Sequence, residues 1–278
     1  MGGRLEGKVA IVTGASRGLG EYCAVGYARE GARVAVAART IEEKDPRLPG
    51  TIHSTARLVE EAGSEALPVA CNVADPQSIE AMVSQVVDHW GRIDILMNNA
   101  AIQPPGGNAD VQPKHWRLMY RVNVHGSFDC ARAVAPSMVE QGGGHIINIS
   151  SAATRGGTPY GGTKRAVEAM AEGLAAELVD DNIVVTALKP VTAIETPGYL
   201  FAQVPRDGGG ADPNLPPPDS YVEAAVLLAG FDGGELNGQS HDDAEWIGLL
   251  ADGETQERLR ALNPRWWGEI MDSIASKG

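Results

Sequence analysis

The order of strand-like and helix-like segments constrains the fold of this chain more than any other feature. Short apolar runs alternate with longer stretches whose apolar residues recur at helical spacing. This alternation is typical of a parallel sheet covered by helices on both faces. Strands are predicted at 8–13, 33–38, 66–72, 94–98, 145–150 and 183–188, and helices at 19–30, 51–62, 76–90, 113–139 and 160–179. The sequence therefore predicts an α/β protein with a single Rossmann-type, doubly wound parallel sheet, whose ligand lies beyond the carboxyl ends of the strands.

A chain of 278 residues can bury one large core, and α/β folds of this length often form a single domain. Residues 1–248 are predicted to form the domain, and residues 249–278 a C-terminal helical extension of it. A charged, proline-containing insertion at 40–50 interrupts the alternation. A second interruption at 202–220, rich in Gly and Pro, belongs to a substrate loop spanning about 192–220 and is predicted to act as a mobile lid.

Composition limits the partners and the compartment. A net charge of −13 argues against nucleic acid or an anionic membrane surface as a partner. Cys23, Cys71 and Cys130 are odd in number and lie in apolar-rich segments, which predicts reduced core residues of a cytoplasmic protein and no disulfide or metal site. No apolar run approaches the roughly 20 residues that span a bilayer. Trp266 and Trp267, near the end of the chain, could pack on a partner subunit or on their own domain.

A glycine-rich loop, Thr-Gly-Ala-Ser-Arg-Gly-Leu-Gly at 13–20, joins the first predicted strand to the first helix. Glycine in such a loop permits a tight turn, a close approach to a pyrophosphate and close packing of the helix. The amide groups of the helix N-terminus then meet the phosphate charge. The spacing G-x-x-x-G-x-G differs from the commoner fingerprint, but its place between strand and helix predicts a dinucleotide site. The residues expected to contact the cofactor are Gly14, Ser16, Arg17, Gly18, Leu19 and Gly20.

The end of the second strand predicts which dinucleotide binds. NAD sites usually carry a carboxylate there for the adenosine ribose, whereas this strand runs into Arg39 and Thr40. Arg39 can form charge-assisted hydrogen bonds with a 2′-phosphate, and Arg17 could reach the same group. The pattern predicts NADP(H) as the preferred cofactor, with NAD(H) possible. Both arginines could instead be solvated surface charges, and the insertion at 40–50 could redirect them.

Tyr160 and Lys164 are four residues apart, which places them on one face of a predicted helix. A neighbouring ammonium favours the phenolate, and the protonated phenol can donate to a carbonyl oxygen that receives hydride. The pair follows a strand that ends with Ser150 and Ser151, either of which could polarise the substrate oxygen or merely cap the next loop. These residues predict an acid–base site for hydride transfer.

Asn123 lies inside the predicted helix 113–139, where asparagine is mildly unfavourable. We expect its side chain, or a local irregularity of the helix, to hold a water molecule. A surface asparagine is the alternative.

Together these motifs resemble the short-chain dehydrogenase/reductase family over residues 5–240, approximately. The matching elements occur in the family's order: the glycine loop, Asn98-Asn99-Ala100-Ala101, Asn123, Ser150-Ser151, and Tyr160 with Lys164. The resemblance implies that Tyr160 is the general acid/base and that Lys164 lowers its pKa while binding the nicotinamide ribose. It also implies that Ser151 orients the substrate carbonyl and that Asn123 holds a water in a proton relay.

The resemblance extends to the rest of the cofactor site. It implies that Asn99, Ala100 and Ala101 lie at the adenosine ribose, Asn72 and Val73 near the adenine, and Pro190 and Thr192 on the nicotinamide side, with Thr196 an alternative to Thr192. The chain departs from the family pattern at Asn72 and Ala101, in the 190–196 loop, and in the short spacing of nine residues between Ser151 and Tyr160. The insertion at 40–50 and the 190–196 stretch are similar to the hydroxysteroid-dehydrogenase-like branch. Family members usually form homodimers or homotetramers.

The leading hypothesis is an oxidoreductase that interconverts an alcohol and a ketone or aldehyde, acting on a small molecule. One alternative is a cofactor-binding sensor or scaffold with little turnover. Another is a C=C or imine reductase, which keeps the hydride donor and changes the acceptor.

Overall fold

The computed structural model describes residues 3–200 and 215–271, and this part of the chain contains one parallel seven-stranded sheet. The strand order across the sheet is β3-β2-β1-β4-β5-β6-β7. Successive strands are therefore added toward one edge from β1 to β3 and toward the other edge from β4 onward. The strands are β1 (Val9–Thr13), β2 (Arg33–Ala38), β3 (Ala66–Ala70), β4 (Ile95–Asn98), β5 (Gly144–Ile149), β6 (Ile183–Lys189) and β7 (Ser240–Asp242). The doubly wound fold is thereby confirmed, while the polar strand β7 was not predicted.

The helices cover both faces of this sheet. They are α1 (Gly18–Arg29), α2 (Ile52–Glu61), α3 (Pro76–Trp90), α4 (Pro113–Tyr120), α5 (Gly126–Gln141), α6 (Pro159–Leu178), α7 (Asp219–Ala229), α8 (Asp243–Leu250), α9 (Gly253–Leu262) and the single turn α10 (Pro264–Trp266). The long helix predicted at 113–139 is divided by a π-helical segment, Arg121–His125. No helix in the described ranges is both long enough and apolar enough to cross a membrane.

Side-chain capping explains where several helices begin. The Asp75 carboxylate accepts a hydrogen bond from the amide of Gln77 at 3.1 Å, and Pro76 occupies the first turn of α3. Thr158 does the same for α6, because its hydroxyl accepts from the amide of Gly161 at 3.0 Å. Such caps satisfy amide groups that lack partners within the helix. The start of α6, and hence the position of Tyr160, is therefore set locally.

Strands β1 to β6 each contribute to two cores, because successive side chains point to opposite faces of the sheet. In β1, Ala10 and Val12 pack in the core under α1, α7 and α8, whereas Val9 and Ile11 pack in the core under α3, α5 and α6. Cys23 belongs to the first core and Cys71 and Cys130 to the second, and all three are buried free thiols.

The C-terminal segment packs on the same sheet. β7 pairs with β6, and Trp246 of α8 is fully buried, with its Nε1 donating to the carbonyl of Ala187 at 3.1 Å. Trp266 and Trp267 are 4% exposed and lie in the α1-side core. Of the two alternatives, the pair therefore packs on its own domain.

The predicted loop at 202–220 ends earlier than expected, because α7 already begins at Asp219. The lid expected within this loop falls largely on residues 201–214, which lie outside the described residues.

Replacement of Trp266 by Ala tests the packing of the C-terminal segment. We expect Trp266→Ala to lower the free energy of unfolding by about 3–5 kcal/mol, as for other large-to-small changes in a core. Equilibrium urea denaturation measures the effect. Leu249→Ala, at an exposed position of α8, is the control and should change stability by less than about 0.5 kcal/mol. An equally small effect at Trp266 would show that the tail does not pack as described.

Candidate active site

The glycine loop between β1 and α1 has the backbone that a pyrophosphate requires. Gly14 and Gly18 adopt φ values of 66° and 61°, in the left-handed region that favours glycine. A methyl group on the α-carbon of Gly20 would lie 2.5 Å from the side-chain nitrogen of Asn99, so a larger residue does not fit. Arg17 precedes α1 without forming a side-chain cap. The first amides of α1 are thus available to an anion, and the loop fits a dinucleotide.

Asn99 fixes this loop from the neighbouring strand end. Its Nδ2 donates to the carbonyls of Thr13 at 2.8 Å and Gly14 at 3.2 Å. The amides of Asn99 and Ala100 both donate to the Thr13 hydroxyl, at 3.0 and 3.1 Å. The Asn99 side chain therefore positions the glycine loop, and the backbone of Asn99, Ala100 and Ala101 remains at the sheet edge where the ribose was expected.

A cavity of about 370 Å³ lies between the glycine loop, the end of β2 and the insertion, where the adenosine end of a cofactor was expected. It is lined by Arg17, Arg39, Thr40, Lys44, Asp45 and Leu48. Arg39 is exposed and has no hydrogen-bond or ion-pair partner among the residues that the structure describes. Lys44 adds a cation that sequence reasoning missed, although the charge of the insertion was a visible signal.

The insertion redirects Arg17, one of the two outcomes foreseen from the sequence. The guanidinium donates to the carbonyls of Pro49 at 2.9 Å and Gly50 at 2.8 Å. Gly50 has a φ of 103°, and a methyl group on its α-carbon would lie 2.3 Å from the carbonyl oxygen of Ser16. The end of the insertion thus lies directly against the glycine loop, where Ser16 is buried and Leu19 packs on the core.

The residues expected near the adenine lie just past β3. Asn72 is exposed, and its Oδ1 accepts from the amide of Ala74 at 3.3 Å. Val73 is buried and packs against Gly126, where an added methyl group would lie 2.8 Å from the Val73 carbonyl oxygen. Both residues follow the strand adjacent to β2, as the prediction requires.

The structure brings Ser151 and Tyr160 together despite their short spacing. After β5 the chain makes a single 3-10 turn, Ala152–Arg155, and α6 begins at Pro159. The Ser151 side chain thereby lies next to the Tyr160 hydroxyl. The Ser150 hydroxyl instead donates to Oε1 of Glu168 at 2.6 Å. Ser151 is therefore the serine that faces Tyr160.

The half-buried Tyr160 and the buried Lys164 are both shifted toward their neutral forms. Desolvation raises the pKa of Tyr160 to about 12, and the neighbouring Ser151 hydroxyl opposes this rise. Burial lowers the pKa of Lys164 to about 8, against the negative charge of Glu168. The net shift of Tyr160 is opposite to the lowering that the sequence led us to expect, because desolvation of the phenolate dominates.

Lys164 lies within reach of the tyrosine. It is 2% exposed, and its Nζ donates to the carbonyl of Ile149 at 2.6 Å. The same nitrogen lies 5.6 Å from the centroid of the Tyr160 ring. The ammonium is therefore held at the end of β5, where it can stabilise a developing phenolate.

Asn123 lies in the π-helical segment and is 1% exposed, which excludes the surface alternative. Its Oδ1 accepts from the amide of Ile102 at 2.8 Å, and its Nδ2 donates to the Ile102 carbonyl at 3.0 Å and the Thr163 hydroxyl at 3.1 Å. That hydroxyl in turn donates to the carbonyl of Tyr160 at 2.7 Å. The irregularity expected at Asn123 is present, and Thr163 connects it to the helix of Tyr160.

Glu168 is a site residue that sequence reasoning missed. Its carboxylate accepts from Ser150 and lies 3.3 Å from Nζ of Lys189 at the end of β6. Tyr160, Lys164 and Glu168 follow one another at intervals of four residues, so the signal was present in the sequence.

On the nicotinamide side, Pro190 directly follows β6 and Thr192 comes two residues later. Thr196 lies against the glycine loop, because a methyl group on the α-carbon of Gly18 would be 3.2 Å from its Cβ. Of the two candidate threonines, Thr196 is the one that the structure brings to the glycine loop. Within residues 3–200 and 215–271, no three His, Cys, Asp or Glu side chains are arranged to hold a metal ion.

The chain is similar in sequence to known short-chain dehydrogenases. The family model described as short chain dehydrogenase matches residues 8–198. Hydroxysteroid dehydrogenase-like protein 2 of Xenopus laevis is 35% identical over 232 residues, covering 81% of this chain and 54% of that protein. The chain thus spans about half the length of this relative.

Two further proteins match over nearly their full length. The (2S)-[(R)-hydroxy(phenyl)methyl]succinyl-CoA dehydrogenase subunit BbsD of Thauera aromatica is 31% identical, covering 84% of this chain and 94% of that one. A crystal structure of a short chain dehydrogenase from Mycobacterium thermoresistibile superposes with a TM-score of 0.80 at 30% identity, covering 89% of both chains. The chain therefore belongs to the short-chain dehydrogenase/reductase family and is similar to its hydroxysteroid-dehydrogenase-like branch.

Proposed function

We propose that this short-chain dehydrogenase/reductase interconverts an alcohol and a ketone or aldehyde, with NADP(H) as the preferred cofactor. The observation that carries the proposal is the placement of Ser151 beside Tyr160, with Lys164 one helical turn further along α6. When bound, the nicotinamide supplies or accepts the hydride. The relative BbsD, whose name describes a dehydrogenase of a hydroxy compound, supports an alcohol as the reduced substrate.

Tyr160 is proposed as the general acid/base. A pKa of about 12 keeps its phenol protonated near neutral pH, so it can donate to the oxygen of a carbonyl that receives hydride. In the reverse direction the phenol must lose its proton, and the Lys164 ammonium favours that form. Lys164 has a pKa of about 8 and is therefore mostly charged at pH 7. Ser151 is assigned the orientation of the substrate oxygen.

Asn123 and the cofactor residues complete the assignment. Thr163 links Asn123 to the main-chain carbonyl of Tyr160, which fixes Asn123 beside α6. The water of a proton relay is assigned to Asn123 from the family resemblance. The cofactor pyrophosphate is assigned to the glycine loop and the 2′-phosphate to Arg39 and Lys44. The remaining proposed contacts are Gly14, Ser16, Arg17, Gly18, Leu19, Gly20, Thr40, Asn72, Val73, Asn99, Ala100, Ala101, Tyr160, Lys164, Pro190, and Thr192 or Thr196.

We further propose that residues 1–248 and the extension from 249 function as one domain in the cytoplasm. The buried free thiols fit a reducing compartment. Recovery of the native protein from an oxidising compartment would contradict this location.

Tyr160→Phe tests the reaction. Removing the phenolic proton should lower kcat by about 10²–10⁴-fold, the usual contribution of general acid–base catalysis. The assay is NADPH oxidation with a panel of ketones, aldehydes, activated alkenes and imines. Tyr27→Phe is the matched control, since that hydroxyl contacts the sulfur of Met97 at 3.9 Å in the core.

The outcomes of this assay separate the three hypotheses. NADPH binding without turnover of any panel compound would favour the sensor or scaffold. Turnover confined to alkenes or imines would favour the other reductases. Unchanged turnover in Tyr160→Phe would refute the assigned mechanism.

Arg39→Asp tests the cofactor preference. Losing charge-assisted hydrogen bonds worth about 1.5–3 kcal/mol should reduce the ratio of NADPH to NADH affinity by about tenfold or more. Fluorescence titration measures both affinities. Arg29→Asp, the same charge reversal at an exposed site at the opposite end of α1, should leave the ratio unchanged. An unaltered ratio in Arg39→Asp would exclude Arg39 from the phosphate site.

A homodimer or homotetramer is proposed to form through the α4–α5 surface. Trp116, Leu118, Phe128 and Val139 are large apolar side chains exposed on these helices. A buried glutamate would destabilise such an interface, so Phe128→Glu should reduce the molar mass measured by light scattering to that of a smaller species. Leu262→Glu, at an exposed site on α9, should not. A monomeric wild-type protein would refute the proposal.

A further inference from the structure

Asp242 and Asp243 form a pair of buried acids outside the catalytic group. Each is 2% exposed, and they lie where β7 passes into α8, beside the end of β6. Asp242 caps α8 by accepting from the amide of Glu245 at 3.0 Å. Asp243 has a different partner, because its Oδ1 accepts from the amide of Val191 at 2.7 Å.

Val191 is the second residue of the 190–196 loop, which begins at the end of β6 and extends to the surface of the glycine loop. At its far end, Thr196 lies against Gly18. The hydrogen bond from Val191 therefore fixes one end of a loop whose other end borders the proposed pyrophosphate site. A small displacement at Val191 would move the loop that faces the cofactor.

We propose that Asp243 is a positioning residue that holds the 190–196 loop against the cofactor site, so that cofactor affinity depends on its hydrogen bond with Val191. The proposal rests on the proposed function in that the loop is taken to contact a nicotinamide dinucleotide.

Burial makes the ionised form of Asp243 energetically unfavourable. Burial raises its pKa from the ordinary value of 3.8 to about 7, the charge of Asp242 adds to this rise, and the amide of Val191 opposes it. The other titratable or charged groups around the pair are Glu245 of α8, Lys189 of β6, Arg155 after β5 and Tyr221 of α7.

These effects give stability and loop anchoring opposite dependences on pH. Because the folded protein holds the Asp243 proton more tightly than the unfolded chain, this residue's contribution to stability is full below about pH 4 and is lost as the pH rises to about 7. The ionised carboxylate, however, binds the Val191 amide more strongly than the neutral acid does.

The experiment compares wild type with Asp243→Ala, which removes the acceptor, and Asp243→Asn, which keeps a neutral acceptor. Asp252→Ala is the matched control, because Asp252 accepts from the amide of Thr255 at 2.8 Å at the exposed start of α9. Hydrogen–deuterium exchange of residues 190–196, without cofactor, measures loop anchoring. Fluorescence titration with NADPH measures affinity, and thermal melts at about pH 5.5 and pH 8 measure stability.

We expect Asp243→Ala to accelerate exchange in 190–196 and to weaken NADPH binding, each by about fivefold or more, while Asp252→Ala does neither. Asp243→Asn should melt at a higher temperature than wild type at about pH 8 and should exchange faster in 190–196. The exchange difference should vanish at about pH 5.5, where the carboxyl of the folded wild-type protein is mostly neutral. The melting difference should be smaller at about pH 5.5 than at about pH 8 and should vanish only below about pH 4.

Two results would overturn the proposal: unchanged exchange in Asp243→Ala, or a loosened loop with wild-type NADPH affinity. If Asp243→Ala does not fold, equal exchange of wild type and Asp243→Asn at both pH values would overturn it instead. Failure of the wild-type protein to bind NADPH would refute the proposed function and the cofactor part of this proposal, while the exchange comparison would still decide whether Asp243 anchors the loop.

Discussion

The reversal of strand order between β1 and β4 is the constraint on which the rest of the site depends. At this point the chains leaving two adjacent strands diverge, and a crevice opens at the carboxyl edge of the sheet. Hydrogen bonds of Asn99 with Thr13 and Gly14 hold the two strand ends together and give the glycine loop its position. The other site residues are arranged around that crevice, on the ends of the remaining strands and on α6.

The polar groups at this edge form a connected arrangement instead of isolated contacts. Ser151 faces Tyr160, while the adjacent Ser150 binds Glu168, which in turn pairs with Lys189. Neighbouring residues of an extended chain point to opposite sides, so this short segment places the Ser151 hydroxyl beside Tyr160 and the Ser150 hydroxyl on Glu168. Burial favours neutral tyrosine and neutral lysine, and Glu168 is the charge that opposes this for Lys164. The protonation of Lys164 is therefore adjusted by a carboxylate one turn further along α6.

Elements with a repeating apolar pattern were predictable from the sequence, whereas features that depend on a single tertiary contact were not. Six strands were predictable because each is an apolar run of several residues, whereas β7 is the three-residue sequence Ser-His-Asp and has no such pattern. The choice between Ser150 and Ser151 depends on the path of the 3-10 turn that follows them, which spacing alone does not reveal. The upward pKa shift of Tyr160 likewise depends on burial by distant segments. Glu168 was detectable from its four-residue interval, but its partners Ser150 and Lys189 come from two different strands.

Residues 240–250 both pack on the sheet and hold the 190–196 loop, so the chain has no structural break near residue 248. β7 adds one strand to the sheet, Trp246 anchors the segment to β6, and Asp243 reaches the loop beyond β6. A truncation before β7 would therefore remove a buried tryptophan and release the 190–196 loop at the same time. Stability and the position of the 190–196 loop are coupled through this segment, because Trp246, which fills the core, and Asp243, which binds the loop, lie on the same turn of α8.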